Sequence, residues 1–277
     1  MSKLSWLILL TTLCCTALFS RPQLTMQTHG YLSFQNYIQA QTKNDELYHG
    51  YRPELMVNIN FLRWNQFYLD GLLGNMLIMT HPDSALWAVD RIHYVLNPGF
   101  RIDFKSWLIR GALSHDCLHR INQYDKPLPG LGRGSIWWNS YQIGVGSRGA
   151  YHLNPQNPFK KSNSILDTWD GQINYGFYIP AENTLSTGQG HTYRHEVFSQ
   201  LRYNLGAHQN WAACFSLRQH LWVTAAESVE HTINLTINLF NRGILGIIGI
   251  YYSYTLYDTF RLDNQDALGA IGIKIVY

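Results

Sequence analysis

Apolar and polar residues alternate along most of this chain, and the pattern is clearest near its last residue. Ile271, Ile273 and Ile275 fall on one side of a two-residue repeat, while Gly272 and Lys274 fall on the other. Successive side chains of a β-strand point to opposite faces, so this pattern indicates a strand with one apolar and one polar face. The alternation recurs in segments of about ten residues, the length of a tilted strand that crosses a bilayer.

About twelve such segments follow one another, separated by short or polar connections, and an even number is what membrane barrels require. The sequence therefore predicts an all-β fold, an up-and-down antiparallel transmembrane β-barrel of about twelve strands. No linker interrupts the series, so residues 21–277 are expected to form a single domain. The candidate strands lie near residues 27–40, 54–64, 67–80, 86–104, 106–121, 135–149, 168–180, 195–206, 211–223, 231–241, 244–257 and 266–277.

A soluble β-sandwich also alternates, so the pattern by itself leaves two architectures open. The length of the strands and the last residue of the chain favour the membrane barrel. Tyr277 ends an alternating apolar strand, and this ending resembles the C-terminal signal that the insertion machinery of bacterial outer membranes recognises. That machinery is therefore an expected partner. A soluble secreted β-protein, such as a small ligand-binding barrel, remains the alternative.

The first 20 residues are typical of an export signal. Lys3 supplies a positive charge, residues 4–19 form an uncharged apolar run, and Ser20 suits the cleavage position. The run is shorter than the roughly 20 apolar residues of a membrane-spanning helix. Cys14 and Cys15 leave a lipoprotein signal open as an alternative. The mature chain is expected in the outer membrane of a Gram-negative bacterium.

Composition narrows the function classes further. The net charge is +3 and the 21 basic residues are scattered, so nucleic acid is not an expected partner. Beyond the signal, Cys117 and Cys214 form neither a disulfide framework nor a zinc motif. His191 and His195 have the separation of helical metal ligands, but they enter a strand from a glycine-containing loop. No metal site is therefore expected from the sequence.

Alternation also places charged residues on the inward face of the predicted barrel. A narrow barrel could be filled by such side chains or leave a thin aqueous path. We favour a lattice of internal salt bridges over a substrate-binding channel, since each buried charge needs a partner. The long polar connections at residues 123–134 and 154–167 are both expected outside the cell. The inward charged residues are Arg101, Asp103, Arg110, Asp116, Arg202 and Arg218.

One candidate strand carries imidazole and thiol groups on its outward face. Continuing the alternation from Leu113 places His115, Cys117 and His119 on the lipid side. Polar groups are unfavourable in the apolar part of a membrane, so these residues are expected near the membrane surface. His119 is either a second base or a contact to a lipid phosphate, and the sequence does not choose between them.

The next strand adds an amide to the same wall. If Ile121 and Ser135 form the first facing pair, Asn139 lies opposite Cys117. Directly opposed side chains are about 4.5–5.5 Å apart, so Asn139, Cys117 and His115 would meet. A base beside a thiol, with an amide able to orient the base, is the arrangement of hydrolases that use a nucleophile.

These residues resemble the pattern of the outer-membrane phospholipase A family, twelve-stranded barrels with His-x-Ser on one strand and Asn in a Ser-Trp-Asn context on the next. The resemblance covers residues 110–142 and implies His115 as base, Cys117 as nucleophile and Asn139 as orienting amide. It also implies calcium as a cofactor and a homodimer. Cysteine replaces the family's serine, the intervening loop is longer, and no calcium ligand matches in this sequence.

The motif His-x-Cys-x-His is also similar to the motif His-x-Ser-Ser-His of an uncharacterised barrel family, the DUF1207 proteins. Two functions follow as expectations. The first is phospholipase-like hydrolysis of acyl esters in outer-leaflet lipid by His115, Cys117 and Asn139, with membrane lipids as partners. The second is a passive barrel, either a narrow porin-like pore or a structural component of the envelope, in which these residues are interfacial side chains.

Overall fold

The part of the chain described by the computed structural model forms twelve β-strands. The described residues are 22–40, 51–80, 88–120, 135–147, 159, 169–179, 193–243, 246–258 and 268–276. The strands are β1 (Gln23–Ala40), β2 (Tyr51–Trp64), β3 (Phe67–Thr80), β4 (Ala88–Asp103), β5 (Trp107–Arg120), β6 (Ser135–Ser147), β7 (Trp169–Tyr178), β8 (Tyr193–His208), β9 (Trp211–Thr224), β10 (Val229–Gly243), β11 (Gly246–Asp258) and β12 (Leu268–Val276).

Each strand pairs with two antiparallel neighbours, and the sheet closes on itself. β12 returns to β1, where Ile275 faces Leu32 and Ile273 faces Phe34. Closure matters because a sheet edge in lipid would leave backbone amides and carbonyls without partners. The predicted all-β, up-and-down barrel of twelve strands is confirmed. None of the described segments forms a helix long and apolar enough to span a membrane.

The two faces of the sheet differ as the alternation requires. In β12, Ile271, Ile273 and Ile275 are 49, 53 and 41 % exposed, whereas Ala270 and Val276 are buried. The exposed side chains point outward from the barrel, where a membrane barrel carries its apolar band. The inward side chains are covered because they fill the narrow interior.

Charged side chains on the inward face pair with one another. Arg101 donates from Nη1 to Asp70 at 3.2 Å and from Nε to Asp103 at 2.6 Å. Arg110 donates to the other oxygen of Asp70 at 3.1 Å. The network matches the expected salt-bridge lattice for these arginines, and it lies on the inner faces of β3, β4 and β5. Charges this deeply buried are stable when each has a hydrogen-bonded counter-charge.

Consecutive connections lie at alternate ends of the barrel. Asn65 and Gln66 connect β2 to β3, and Gln209 and Asn210 connect β8 to β9, at the same end as the connection from β6 to β7. The expectation that residues 123–134 and 154–167 share the outer end is therefore wrong. Residues 123–134 and nearly all of 154–167 lie outside the described part of the chain, but they follow β5 and β6, and these two antiparallel strands finish at opposite ends of the barrel.

Three expectations concern residues outside the described part of the chain. The export signal at residues 1–20, the recognition of Tyr277 by insertion machinery, and the surroundings of His191 all fall there. They stay predictions.

Replacement of Asp70 by Asn should destabilise the barrel strongly. Asp70 is the shared acceptor of Arg101 and Arg110, so both guanidinium groups would lose a buried counter-charge. We expect a loss of about 3 kcal/mol or more in the free energy of unfolding, measured by urea unfolding in lipid vesicles with tryptophan fluorescence. The matched control is Glu227→Gln. The side chain of Glu227 is 83 % exposed, and its contact with Arg194 is long, at 3.8 Å. That change should shift stability by less than about 1 kcal/mol, and equal shifts in both variants would contradict the assignment.

Candidate active site

The three candidate residues lie on neighbouring strands, at the end of the barrel opposite the two-residue connections. His115 and Cys117 are in β5, and Asn139 is in β6. Leu113 and Tyr141 share their faces and are 49 and 57 % exposed, so this face is the outer wall. The site would therefore meet lipid rather than the barrel interior.

The pairing of β5 with β6 differs by two residues from the predicted one. His115 lies opposite Asn139, and Cys117 lies opposite Trp137. The prediction that Asn139 is opposite Cys117 is therefore wrong. A shift of two residues keeps every side chain on its face, because side chains alternate with a period of two. The amide thus faces the candidate base and not the thiol.

This pairing brings His115 and Asn139 into direct contact. Nδ1 of His115 is 2.7 Å from Oδ1 of Asn139. An amide oxygen only accepts, so Nδ1 of the ring carries the proton and donates it. In the neutral imidazole the other nitrogen, Nε2, is then the proton acceptor. The backbone of Asn139 is held on its far side, where the amide of Ile179 donates to its carbonyl oxygen at 3.0 Å.

Cys117 follows His115 on the same face of β5. Two residues along a strand place their Cα atoms about 6.6 Å apart. Tyr94 of β4 and Trp137 of β6 are the cross-strand neighbours of Cys117, which is only 7 % exposed. The Tyr94 ring also meets His119 edge-on, with centroids 5.6 Å apart. The thiol thus lies in a row between two aromatic residues on the outer wall.

The described surroundings of the site do not fit a calcium ion. Calcium takes oxygen ligands, carboxylates above all. Asp116, between the two candidate residues in sequence, points into the lumen and pairs with His93. Within the described ranges no cluster of three or more His, Cys, Asp or Glu could hold a metal ion. We therefore assign no step of the chemistry to calcium.

A second polar contact on the outer wall was not predicted from the sequence. Nδ1 of His195 is 2.7 Å from the hydroxyl oxygen of Tyr175. Its ring also lies 5.6 Å from that of Phe177. Alternation along β7 and β8 could have predicted a shared face, but not this contact. β7 separates His195 from Asn139, so the structure does not join His195 to the site.

Together, the three residues have the parts of a nucleophile activated by a base. Asn139 fixes the ring of His115 through a hydrogen bond to Nδ1, which leaves Nε2 available to accept a proton. The thiol of Cys117 lies next along the same face.

No family model matches this chain, and no curated protein matches it in sequence.

Solved structures do match the chain. Outer-membrane phospholipase A from Escherichia coli superposes with a TM-score of 0.53 at 10 % sequence identity, covering 94 % of this chain and 96 % of that one. The fold is similar to that of outer-membrane phospholipase A.

Two further phospholipase A structures superpose on this chain to a similar extent. The calcium-bound dimer from Salmonella typhi gives a TM-score of 0.54 at 9 % identity, covering 91 % of this chain and 92 % of that one. An active-site mutant of the Escherichia coli phospholipase, with alanine in place of an asparagine, gives 0.53 at 10 % identity and covers 94 % and 96 %. Identities this low show a common barrel fold of the outer-membrane kind and leave the chemistry open. The resemblance to DUF1207 proteins gains no support from these matches.

Disulfide cross-linking can test the pairing on which the site depends. In a chain with Cys117→Ala and Cys214→Ala, we expect His115→Cys with Asn139→Cys to form a disulfide after mild oxidation. Facing residues lie within the Cα separation of about 4.4–6.8 Å that a disulfide needs. The control pair is His115→Cys with Tyr141→Cys, which the register predicted from the sequence would have placed face to face. Cross-linking of the control but not of the first pair, read by mass spectrometry, would contradict the observed register.

Proposed function

We propose that this chain is an outer-membrane hydrolase that cleaves acyl esters of outer-leaflet lipid. Cys117 is the nucleophile, His115 is its base, and Asn139 orients the base. The observation that carries the proposal is the 2.7 Å contact between Nδ1 of His115 and Oδ1 of Asn139, beside a cysteine on the same outer wall. An interfacial histidine with a structural role alone would not require this combination.

The reaction begins with proton transfer from the thiol. Nε2 of His115 takes the proton of Cys117 Sγ, and the thiolate attacks the carbonyl carbon of the ester. The carbon–sulfur bond forms while the carbonyl electron pair moves onto oxygen. When this intermediate collapses, the ester carbon–oxygen bond breaks, and the departing alkoxide takes the proton back from His115. The products are a lysolipid and an acyl thioester on Cys117.

Water completes the cycle. His115 removes a proton from a water molecule, which attacks the thioester carbonyl carbon. The carbon–sulfur bond breaks, the fatty acid leaves, and Cys117 recovers its proton from His115. Asn139 takes part only through His115, since its oxygen holds the Nδ1 proton and stabilises the imidazolium formed in both steps. Asn139 is therefore a positioning residue.

The location of the site supports a lipid substrate. Leu96, Leu113 and Tyr141 surround it on the same wall and are all at least 46 % exposed, so acyl chains can lie against them. His115 and Cys117 are near the end of β5, where the strand approaches the membrane surface. Ester carbonyls of a bilayer lie at this depth, between the headgroups and the acyl chains. With the start of β1 on the periplasmic side, this end of β5 faces the outer leaflet.

Similarity to phospholipase A supports the role proposed for Asn139. One solved structure of that enzyme is an active-site mutant in which alanine replaces an asparagine, so its active site also contains an asparagine. The phospholipase from Salmonella typhi is a calcium-bound dimer. A homodimer is accordingly part of our proposal, whereas calcium is not. Export through residues 1–20 and insertion through the last strand complete the proposed route to the outer membrane.

Side-chain replacement tests the roles of the three residues. Fatty-acid release from phospholipid vesicles should fall by about 10²–10⁴-fold in His115→Ala, which removes the base. Cys117→Ala should lose at least as much. Asn139→Ala should lose about 10²-fold, because a base that is free to turn is out of position.

Cys214→Ala and His208→Ala are the matched controls, since Cys214 faces the lumen and His208 is exposed at the opposite end of the barrel. Both should keep the activity of the unchanged protein. Equal activity in the His115 and Cys117 variants would refute the assignment. A purified wild-type barrel that releases no fatty acid from any phospholipid or lipid A would instead leave the passive barrel as the function.

The covalent intermediate provides a second, independent check. Wild-type protein quenched during turnover should carry an acyl group on Cys117 that neutral hydroxylamine removes, because thioesters react with it readily. Cys117→Ser should carry an ester at the same position that resists this treatment. Peptide mass spectrometry reads both outcomes, and an acyl group on any other residue would contradict the proposed nucleophile.

A further inference from the structure

The inside of the barrel is divided into two unlike halves. The inner faces of β3, β4 and β5 hold the paired network of Asp70, Arg101, Asp103 and Arg110. A cavity of about 430 Å³ lies mainly against β8 to β12, β1 and β2, and Met76, His93 and Asp116 of β3, β4 and β5 complete its lining. Pockets for small molecules occupy roughly 300–1,000 Å³, so this space is large enough for a solute of the size of a sugar.

The floor of the cavity is apolar. Phe240, Ile247 and Val276 belong to one buried cluster, and Phe159 packs against it. The guanidinium carbon of Arg242 lies 4.2 Å from the centre of the Phe159 ring. These contacts lie at the end of the barrel where β10 and β11 are connected. Packed side chains thus line the cavity at this end.

The wall above the floor is rich in amides and hydroxyls. Nδ2 of Asn234 donates to Ser253 Oγ at 2.6 Å, and Thr236 Oγ1 donates to Asn234 Oδ1 at 2.8 Å. Asn238 and Ser216 line the same wall. Groups of this kind can bond the hydroxyls of a polar solute without a fixed charge.

Two cations in this wall form no salt bridge among the described residues, and Lys274 is attracted only at longer range, by Glu54. Nε of Arg218 is buried without a hydrogen-bond partner in the described part of the chain. The ammonium of Lys274 lies 4.3 Å from the ring centre of Tyr31 and 5.2 Å from that of Tyr251. By contrast, Arg202 in the same wall donates to Asp170 at 2.5 Å.

The charges of the lining do not balance. Among the described residues it contains four cationic groups and two carboxylates. Asp116 is paired with His93, and Glu54 accepts from the hydroxyl of Tyr31 at 2.8 Å. The four cationic groups are Arg52, Arg202, Arg218 and Lys274. Arg202 is neutralised by Asp170, which lies outside the lining, and Arg52 has partners of its own, so the excess positive charge rests on Arg218 and Lys274. A barrel that neutralises its other buried arginines leaves positive charge facing this space, which is the arrangement that attracts anions.

We propose that the lumen is a binding site for a small hydroxylated oxyanion, held between Arg218 and Lys274. The oxyanion supplies the missing counter-charge, and the amide and hydroxyl wall bonds the rest of the solute. The shared chemistry is a carboxylate or phosphate group on a sugar-sized molecule. This site is separate from the proposed hydrolase, because Arg218 and Lys274 face the lumen and His115 and Cys117 face lipid.

Calorimetric titration of the folded barrel in dodecyl maltoside micelles at low salt tests the site. The probes are glucose 6-phosphate, gluconate and, as the uncharged control, glucose. We expect saturable binding of at least one anion and none of glucose. The arm that binds more tightly identifies phosphate or carboxylate as the preferred group. Hydrogen bonds to charged groups are strong enough that Arg218→Gln and Lys274→Gln should each weaken binding at least about tenfold.

The control variant is Arg194→Gln, which removes one exposed positive charge outside the lining. It should bind as tightly as the unchanged protein. Each variant is first checked for folding by its heat-dependent migration on a gel. Failure of both anions to saturate the wild-type barrel below about 10 mM would overturn the proposal, and this result needs no variant to fold. Equal affinity in wild-type protein and folded Arg218→Gln and Lys274→Gln, or equal binding of glucose, would overturn it too.

Discussion

Backbone amides and carbonyls inside a bilayer have no water to bond, and this constraint organises the whole chain. Every strand pair helps to meet it, and the sheet closes where β12 pairs with β1, from Tyr31 and Val276 to Ala40 and Leu268. Without that pairing two strands would have unpaired edges in lipid. Because the sheet is closed, side chains that alternate along a strand face either the outside of the barrel or its interior. His115 faces outward and Asp116, the next residue, faces the interior, where it pairs with His93.

Alternation is a local property, which is why the strands could be predicted from the sequence. Each residue of β12 has its face determined by its immediate neighbours, and exposure follows the predicted pattern. Register is different, because it depends on how two strands meet across a connection. A slip of two residues leaves all faces unchanged, so alternation could not distinguish Asn139 opposite Cys117 from Asn139 opposite His115. The placement of residues 154–167 failed for another reason, since it disregarded the alternation of connections between the two ends.

Contacts between side chains across the lumen were harder still to predict from the sequence. Arg101 and Asp103 were expected inside, and they form an ion pair on one strand. Asp70 was not singled out, although it accepts from two arginines on two other strands. Such pairs depend on the stagger and curvature of the closed sheet, which no single strand encodes. The same holds for the cavity beside Arg218, because only the assembled walls reveal that Arg218 forms no salt bridge with a carboxylate among the described residues.

The two aromatic neighbours of Cys117 bear on its survival in the cell envelope. Oxidation of a cysteine proceeds with its exposure and with the fraction of thiolate present. Cys117 is 7 % exposed and lies between Tyr94 and Trp137 on the outer wall. Peroxide and other water-borne oxidants reach such a sulfur poorly, whereas molecules dissolved in the bilayer approach it directly. The two aromatic neighbours thus reduce the exposure on which oxidation of this thiol depends.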